Sequence, residues 1–153
     1  MAPTISASGV LLVQSEMLAL ETSSRIEIID ITERLMDIVH RHPVREGTAS
    51  LFSLHTTCTI FVNESQQALA ADMLTFLDHL VPSDADWLHD HPDHSACDRQ
   101  NADAHLRSML LGHSVTLQIS GRELVLGQWQ RVLVAELDGP RSRSLRLSLM
   151  GVA

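Results

Sequence analysis

Two residue types are absent from this 153-residue sequence: it has no lysine and no tyrosine, so all 11 of its cationic side chains are arginines. The absence of lysine excludes Schiff-base chemistry and a lysine general base, and the absence of tyrosine excludes a phenolic acid or nucleophile. The nine histidines, the arginines and the 19 carboxylates therefore remain for acid–base chemistry or ligand binding.

Positive charge is scarce, and long apolar runs are missing. The formal net charge is -8 and the arginines are scattered, which argues against a nucleic-acid binder. The apolar run at 9–13 is short and follows no charged segment, so we expect neither a signal peptide nor a membrane span. A cytoplasmic location follows as the expectation. Cys58 and Cys97 are then expected to be free thiols.

Length and composition predict one folded domain over residues 1–153. Apolar residues make up 44% and charged residues 20%, values typical of globular proteins. Period-2 patterns and turn residues predict strands at 10–20, 23–29, 48–54, 58–62, 115–119, 124–126, 131–137 and 144–149. Helical periodicity predicts three helices: 31–41 after a cap at Asp30, one after a cap within 63–65, and 102–111 after a cap at Asn101. We therefore predict an α+β domain with an antiparallel sheet or sandwich and about three helices.

The second helix carries an apolar stripe at helical spacing, which makes it the most clearly marked of the three helices. Its members are Leu69, Met73, Phe76, Leu77 and Leu80. The polar segment 82–100 that follows is long for a connection, and loops of this length are usually functional or disordered.

The first candidate site residue is His55, in the stretch FSLHTTCTIFVNE at 52–64. One strand from 48 to 62 would be unusually long, so we predict a bend, bulge or reversal at 55–57 where side chains can be re-aimed. Taken alone, His55 is better explained as a half-buried strand histidine with a backbone partner.

Further candidates lie on the third helix and in the long loop. His105 shares a helix face with Asn101 near a helix N-terminus, which favours anions, although it could be a surface residue. The segment 87–94 is rich in His and Asp but matches no structural zinc motif. Four other residues, each explicable alone as a cap, a solvated charge or an ion-pair partner, are Glu64, Asp72, Glu136 and Arg143.

Several short motifs occur in an order that resembles the YjbQ family, known as secondary thiamine-phosphate synthases. They are HTT at 55–57, NE at 63–64, NADAH at 101–105, GRELVLGQWQ at 121–130 and ELDGPRSR at 136–143, spread over almost the whole chain. The chain departs from the family pattern at Gln118 and Gln128 and has a longer loop between His89 and Asn101.

The resemblance implies a compact α+β homotrimer with a histidine-lined site near a subunit boundary. It implies that His55, His89 and His105 are the site histidines, with His55 and His105 catalytic and all three able to bind a metal. His91 or His94 could replace His89. The substrate-binding or supporting residues that it implies are Asn63, Glu64, Trp129, Gln130, Glu136 and Arg143.

The implied reaction couples a pyrimidine methyl diphosphate to a thiazole phosphate and releases pyrophosphate. A divalent metal, zinc or magnesium, together with Arg143 and imidazolium would suit the charge on the leaving oxygens. Two other hypotheses remain: a zinc-dependent hydrolase, and a non-catalytic trimeric protein that binds an anion or metabolite. All three predict a small phosphorylated or anionic ligand.

Overall fold

The computed structural model describes residues 7–153 and contains eight strands and three α-helices within them. The strands are β1 (Leu11–Glu21), β2 (Glu27–Asp30), β3 (Glu46–Ser53), β4 (Cys58–Asn63), β5 (Ser114–Ser120), β6 (Glu123–Leu124), β7 (Arg131–Glu136) and β8 (Ser142–Val152). The helices are α1 (Thr32–Arg41), α2 (Gln67–Leu80) and α3 (Ala102–Leu111), with a 3-10 turn at Leu88–Asp90. The predicted α+β class is confirmed.

The strands form two antiparallel sheets, one of five strands in the order β1-β8-β3-β5-β6 and one of three in the order β2-β7-β4. Alternate residues of β8 point inward, and Leu145, Leu147 and Leu149 are each at most 1% exposed. They share one hydrophobic cluster with Ile60 of β4 and Val134 of β7, so the two sheets enclose a common core. Burial of these apolar faces is the main force that holds the sheets together.

Two glycines allow β3 and β8 to approach closely. Gly47 and Gly151 lie opposite each other in the register. A Cβ placed on Gly47 would overlap the backbone of β8, including the Gly151 Cα at 2.6 Å. Side chains at these positions would therefore push the central strands apart.

The starts of the first two helices differ from prediction in detail. The N-cap position of α1 is Ile31, one residue later than predicted, and its side chain makes no capping bond. Asp30, one residue earlier, still accepts the Thr32 amide through Oδ1 at 2.9 Å, whereas Glu33 binds Arg131 and closes no capping box. The cap of α2 lies later than predicted: the side chain of Gln66, not one of residues 63–65, accepts the amide of Leu69. Long side chains can thus reach helix donors that short ones usually satisfy.

The start of α3 uses a residue distant in sequence. The predicted cap, Asn101, makes no capping hydrogen bond, and the Asp90 carboxylate accepts the Ala102 amide at 2.9 Å instead. Asn101 donates to Asp138. The long loop is therefore attached to α3 by a charged cap, which also suits the helix dipole.

Four strand predictions needed correction, one of them for β8, which runs over Ser142–Val152 and not only over 144–149. The second strand occupies only Glu27–Asp30, because the Glu27 carboxylate accepts the amides of Ser23 and Ser24 in a local turn. The strand predicted at 124–126 is the two-residue β6, and β7 stops at Glu136. Both cysteines are free, as expected, and Cys58 is buried.

The predicted second helix is present, but most of its apolar stripe is not buried within the chain. Of its five members only Leu77 is buried, while Phe76 is 60% and Leu80 54% exposed. Periodicity reports one apolar face of a helix, but it does not say whether the chain itself covers that face.

The outer surface of the five-stranded sheet also carries exposed apolar side chains, among polar ones such as Ser15, Ser148 and Arg146. Five large side chains point away from the core there, and we call them the open sheet face: Leu11, Val13, Met17, Phe52 and Met150. Each is at least 48% exposed. No helix within residues 7–153 is long and apolar enough to cross a membrane.

Candidate functional site

The interruption at residues 55–57 is a turn between β3 and β4, as predicted. The Leu54 amide still donates to the Ser144 carbonyl of β8 at 3.2 Å, and the Ser144 amide donates to His55 Nε2 at 2.7 Å. The chain turns away from β8 after β3, so no backbone carbonyl of β3 accepts the Ser144 amide, and the imidazole of His55 accepts it instead. Burial and the positive charge of Arg143 lower the pKa of His55, although Glu136 opposes this.

A fully buried ion pair lies behind this turn. Arg143 Nε donates to Glu136 Oε2 at 2.6 Å, Arg143 Nη2 donates to the other carboxylate oxygen, and Nη2 also reaches Thr57 Oγ1 at 3.1 Å. Glu136 further accepts the Thr22 hydroxyl and the Asp138 amide. Burial alone would raise the pKa of Glu136, but the hydrogen bonds from Arg143 and Asp138 lower it.

The burial of this pair defines its role. Glu136 is 0% and Arg143 2% exposed, so neither side chain has a surface on which to hold a substrate. Their hydrogen bonds join the ends of β7 and β8 to the turn that carries His55. In this structure, these two predicted substrate-binding residues hold the turn at 55–57 in place through buried contacts.

Asp138 joins the same region to the long loop. Its carboxylate accepts two hydrogen bonds from Arg99, at 2.9 and 3.1 Å, and one from Asn101 at 2.8 Å. Arg141 lies 3.1 Å away. Burial alone would raise the pKa of Asp138, but the Arg99 and Asn101 hydrogen bonds lower it. Sequence analysis missed Arg99 and gave Asp138 no role beyond its place in a motif.

His89 and His105 lie side by side. Their ring centroids are 5.1 Å apart and their planes nearly perpendicular. Burial and the charge of His89 lower the pKa of His105, against the effect of Asp138 and other nearby carboxylates. The lowered pKa favours the neutral form of His105, which lies in the first turn of α3.

An open cavity of about 460 Å³ adjoins the two rings. We call it the histidine cavity, and its lining is Trp87, Leu88, His89, Ala102, His105 and Leu106. Its volume lies within the usual range for small-molecule sites, and a mainly apolar wall with a few polar groups is typical of them.

The other loop histidines have different neighbours. His91 Nε2 lies 2.5 Å from Asp86 Oδ1, and the rings of His91 and His94 are 6.1 Å apart. Of the loop histidines, only His89 lines the cavity with His105. The geometry therefore favours His89 as the loop's contribution to this cavity.

A three-histidine metal centre is not assembled within one chain. Over residues 7–153, no group of three or more His, Cys, Asp or Glu side chains is arranged to hold a metal ion. His89 and His105 offer two imidazoles, but the Nε2 lone pair of His55 accepts the Ser144 amide. The assignment of all three as metal ligands stays a prediction.

The remaining predicted site residues lie at the other end of the three-stranded sheet. Cys58 pairs with Glu136, whereas Asn63 pairs with Arg131, so five residues separate the two ends, roughly 17 Å along a strand. Four predicted substrate-binding residues lie at or just beyond the far end: Asn63, Glu64, Trp129 and Gln130. We call them the far-end group; Trp129 is 66% exposed. Within one chain, the group does not meet the histidine cavity.

Comparison with known proteins relates the whole chain to one family. Residues 16–152 match the family described as UPF0047 protein YjbQ-like. A UPF0047 protein of Methanothermobacter thermautotrophicus is 41% identical over 139 residues, covering 91% of this chain and 93% of the relative. The UPF0047 protein YugU of Bacillus subtilis is 32% identical over 135 residues, covering 88% and 97%.

The fold agrees with solved structures of the same kind. The crystal structure of a YbjQ-like protein of unknown function from Sulfolobus solfataricus has a TM-score of 0.85 and 30% identity, covering 92% of this chain and 99% of the other. A Clostridium acetobutylicum protein of the YjbQ/UPF0047 family has a TM-score of 0.78 and 31% identity, covering 88% and 98%. The chain therefore belongs to the YjbQ/UPF0047 family.

Proposed function

We propose that this protein acts on small phosphorylated ligands at the histidine cavity and has a secondary thiamine-phosphate synthase activity. The observation that carries the proposal is the pairing of His89 and His105 beside a mainly apolar wall, at the first turn of α3. A helix N-terminus favours anions, and imidazole N–H groups can donate to phosphate oxygens.

The proposed reaction needs stabilisation of a leaving group more than it needs a base. The thiazole nitrogen forms a bond to the pyrimidine methylene carbon, the bond from that carbon to the diphosphate oxygen breaks, and its electron pair leaves with pyrophosphate. No proton is transferred in this step. Donors placed where negative charge develops can supply the stabilisation, and we assign this role to His105 and His89.

The apolar wall suits the planar rings of both substrates. Trp87, Leu88 and Leu106 offer the surface against which a heteroaromatic ring can pack. The cavity lining contains no carboxylate, an observation that equally suits the alternative of an anion-binding or metabolite-binding protein without turnover.

A divalent metal, zinc or magnesium, remains part of the proposal only for the assembled protein. One chain offers two cavity imidazoles, fewer than the three protein ligands typical of catalytic zinc. The zinc-dependent hydrolase is therefore less well supported by the geometry, and no step of the proposed reaction is assigned to a metal.

Coupling of the two purified precursors tests the proposal. The protein should form thiamine phosphate, detected by chromatography, while His105→Ala should fall to the rate without protein. His79→Ala is the matched control, because His79 is an exposed histidine in the last turn of α2. Equal product from the wild-type protein and His105→Ala would refute synthase activity at this cavity.

We also propose that the protein assembles as a homotrimer. The open sheet face and the exposed residues of α2 are apolar surfaces of the kind that subunit contacts cover. A head-to-tail contact that closes into a ring could place the far-end group of one copy over the histidine cavity of the next. Sedimentation should give about three times the 16.9 kDa monomer mass; a monomer would contradict this.

A further inference from the structure

The contact between Ser144 and His55 restricts where the imidazole can carry its proton. A backbone amide can only donate, so His55 Nε2, at 2.7 Å from the Ser144 nitrogen, must present its lone pair. A neutral imidazole carries one N–H, which must then be on Nδ1. The turn therefore selects one tautomer of His55.

The donor that selects this tautomer is fixed by the sheet. Ser144 pairs with Ala19 of β1, and its carbonyl accepts the Leu54 amide. Protonation of Nε2 would set two N–H groups against each other and break the contact that ends the β3–β8 pairing. A shift of the ring toward a metal ion would break it as well.

The surroundings of the ring favour a neutral donor over a cation. Burial and the charge of Arg143 oppose a positive charge on His55, Glu136 favours one, and Arg141 opposes it, so the net effect lowers the pKa of the ring. The ring is half-buried, and among residues 7–153 its Nδ1 has no hydrogen-bond partner. Nδ1 is thus a free N–H donor close to two arginines.

We propose that His55 is a neutral hydrogen-bond donor of fixed tautomer, which binds an oxyanion of the ligand through Nδ1–H and is not a metal ligand. The role as ligand donor rests on the proposed function and requires a ligand that extends beyond the lining of the histidine cavity, which does not include His55. The fixed tautomer rests on neither condition. A neutral N–H beside Arg141 adds a directional contact to a phosphate oxygen without adding another charge.

Nitrogen NMR of protein labelled with ¹⁵N-histidine tests the tautomer at pH 7. The His55 signals, identified by their loss in His55→Gln, should show a protonated Nδ1 and an unprotonated Nε2. Addition of one equivalent of zinc should leave them unchanged. An Nε2–H tautomer, an imidazolium, or a zinc-dependent change at Nε2 would overturn the proposal.

Calorimetry with inorganic pyrophosphate tests the ligand contact. His55→Ala should weaken binding about tenfold, as expected for loss of one hydrogen bond to a charged group. His55→Gln should stay within about threefold of wild type, because a carboxamide can accept from Ser144 and donate to the ligand. His79→Ala should bind like wild type.

The possible failures are distinguishable. Equal weakening by the Ala and Gln variants, with both still folded, would refute the neutral-donor role. Absence of binding by the wild-type protein would overturn the proposed function and the ligand contact together, while the NMR result would still decide the tautomer.

Discussion

Glu136→Gln should be among the most damaging conservative substitutions in this protein. It keeps the size of the side chain and leaves an oxygen for the Thr22 hydroxyl or the Asp138 amide. It removes the charge that compensates Arg143, which is only 2% exposed. Removal of one partner of a buried pair costs about 3–5 kcal/mol, and the retained hydrogen bonds favour the lower end, about 3 kcal/mol.

Urea unfolding followed by circular dichroism measures this loss. Protein concentration must be held constant, because dissociation of an oligomer would contribute to the apparent stability. Glu123→Gln is the matched control: Glu123 is exposed and should change stability by less than about 0.5 kcal/mol. If Glu136→Gln lowers the free energy of unfolding by less than about 1 kcal/mol, the buried Arg143 guanidinium does not need the negative charge of Glu136 for its stability. That result would contradict our account of the network.

Three further predictions concern pH, the α3 cap and the central strands. Folding lowers the pKa of Glu136 from 4.5 and that of Asp138 from 3.8. The stability that these two carboxylates contribute is therefore fully present above their unfolded pKa values, and it is lost as pH falls toward and through their folded pKa values. The pKa of His105 is lowered from 6.5, so stability should already begin to fall below pH 6.5; a urea midpoint that rises from pH 7 to pH 5 would contradict this. Asp90→Ala should cost about 1 kcal/mol in urea unfolding through loss of the α3 cap, and an unchanged midpoint would refute that assignment. Gly47→Ala should lower the melting temperature, because its Cβ would overlap the β8 backbone; an unchanged value would show that the strands can separate freely.

Local patterns predicted most of the elements, including the break at His55. Alternation along β8 and the change of period at each helix are properties of neighbouring residues, so they can be seen in the sequence. The caps of α2 and α3 were both predicted at the wrong residue. In α3 the Ala102 amide donates to Asp90, which lies twelve residues earlier in the chain. Such contacts depend on how a loop folds back, which no local pattern contains.

The candidate site was predictable in its parts but not in its grouping. The family resemblance indicated His105 and His89, with His91 or His94 as alternatives to His89, and the structure places His89 beside His105. The same motifs identified Trp129, which lies at the far end of the three-stranded sheet. A sequence motif can indicate that two residues belong to a site. It does not indicate whether they meet within one chain or come from two copies of it. In the proposed trimer, a second copy would cover the stripe of α2 that one chain leaves exposed.

Mixed assembly of two inactive subunits tests most directly the central claim that the histidine cavity works with the far-end group of a neighbouring copy. His105→Ala and Trp129→Ala chains, each inactive alone, would be co-expressed with different tags, purified as mixed trimers and assayed for thiamine-phosphate formation and pyrophosphate binding. A head-to-tail ring that contains both variants should regain one of its three sites, about a third of the wild-type activity, because each site needs His105 from one chain and Trp129 from the next. Full activity of Trp129→Ala alone, or no recovery in the mixed trimers, would contradict the account.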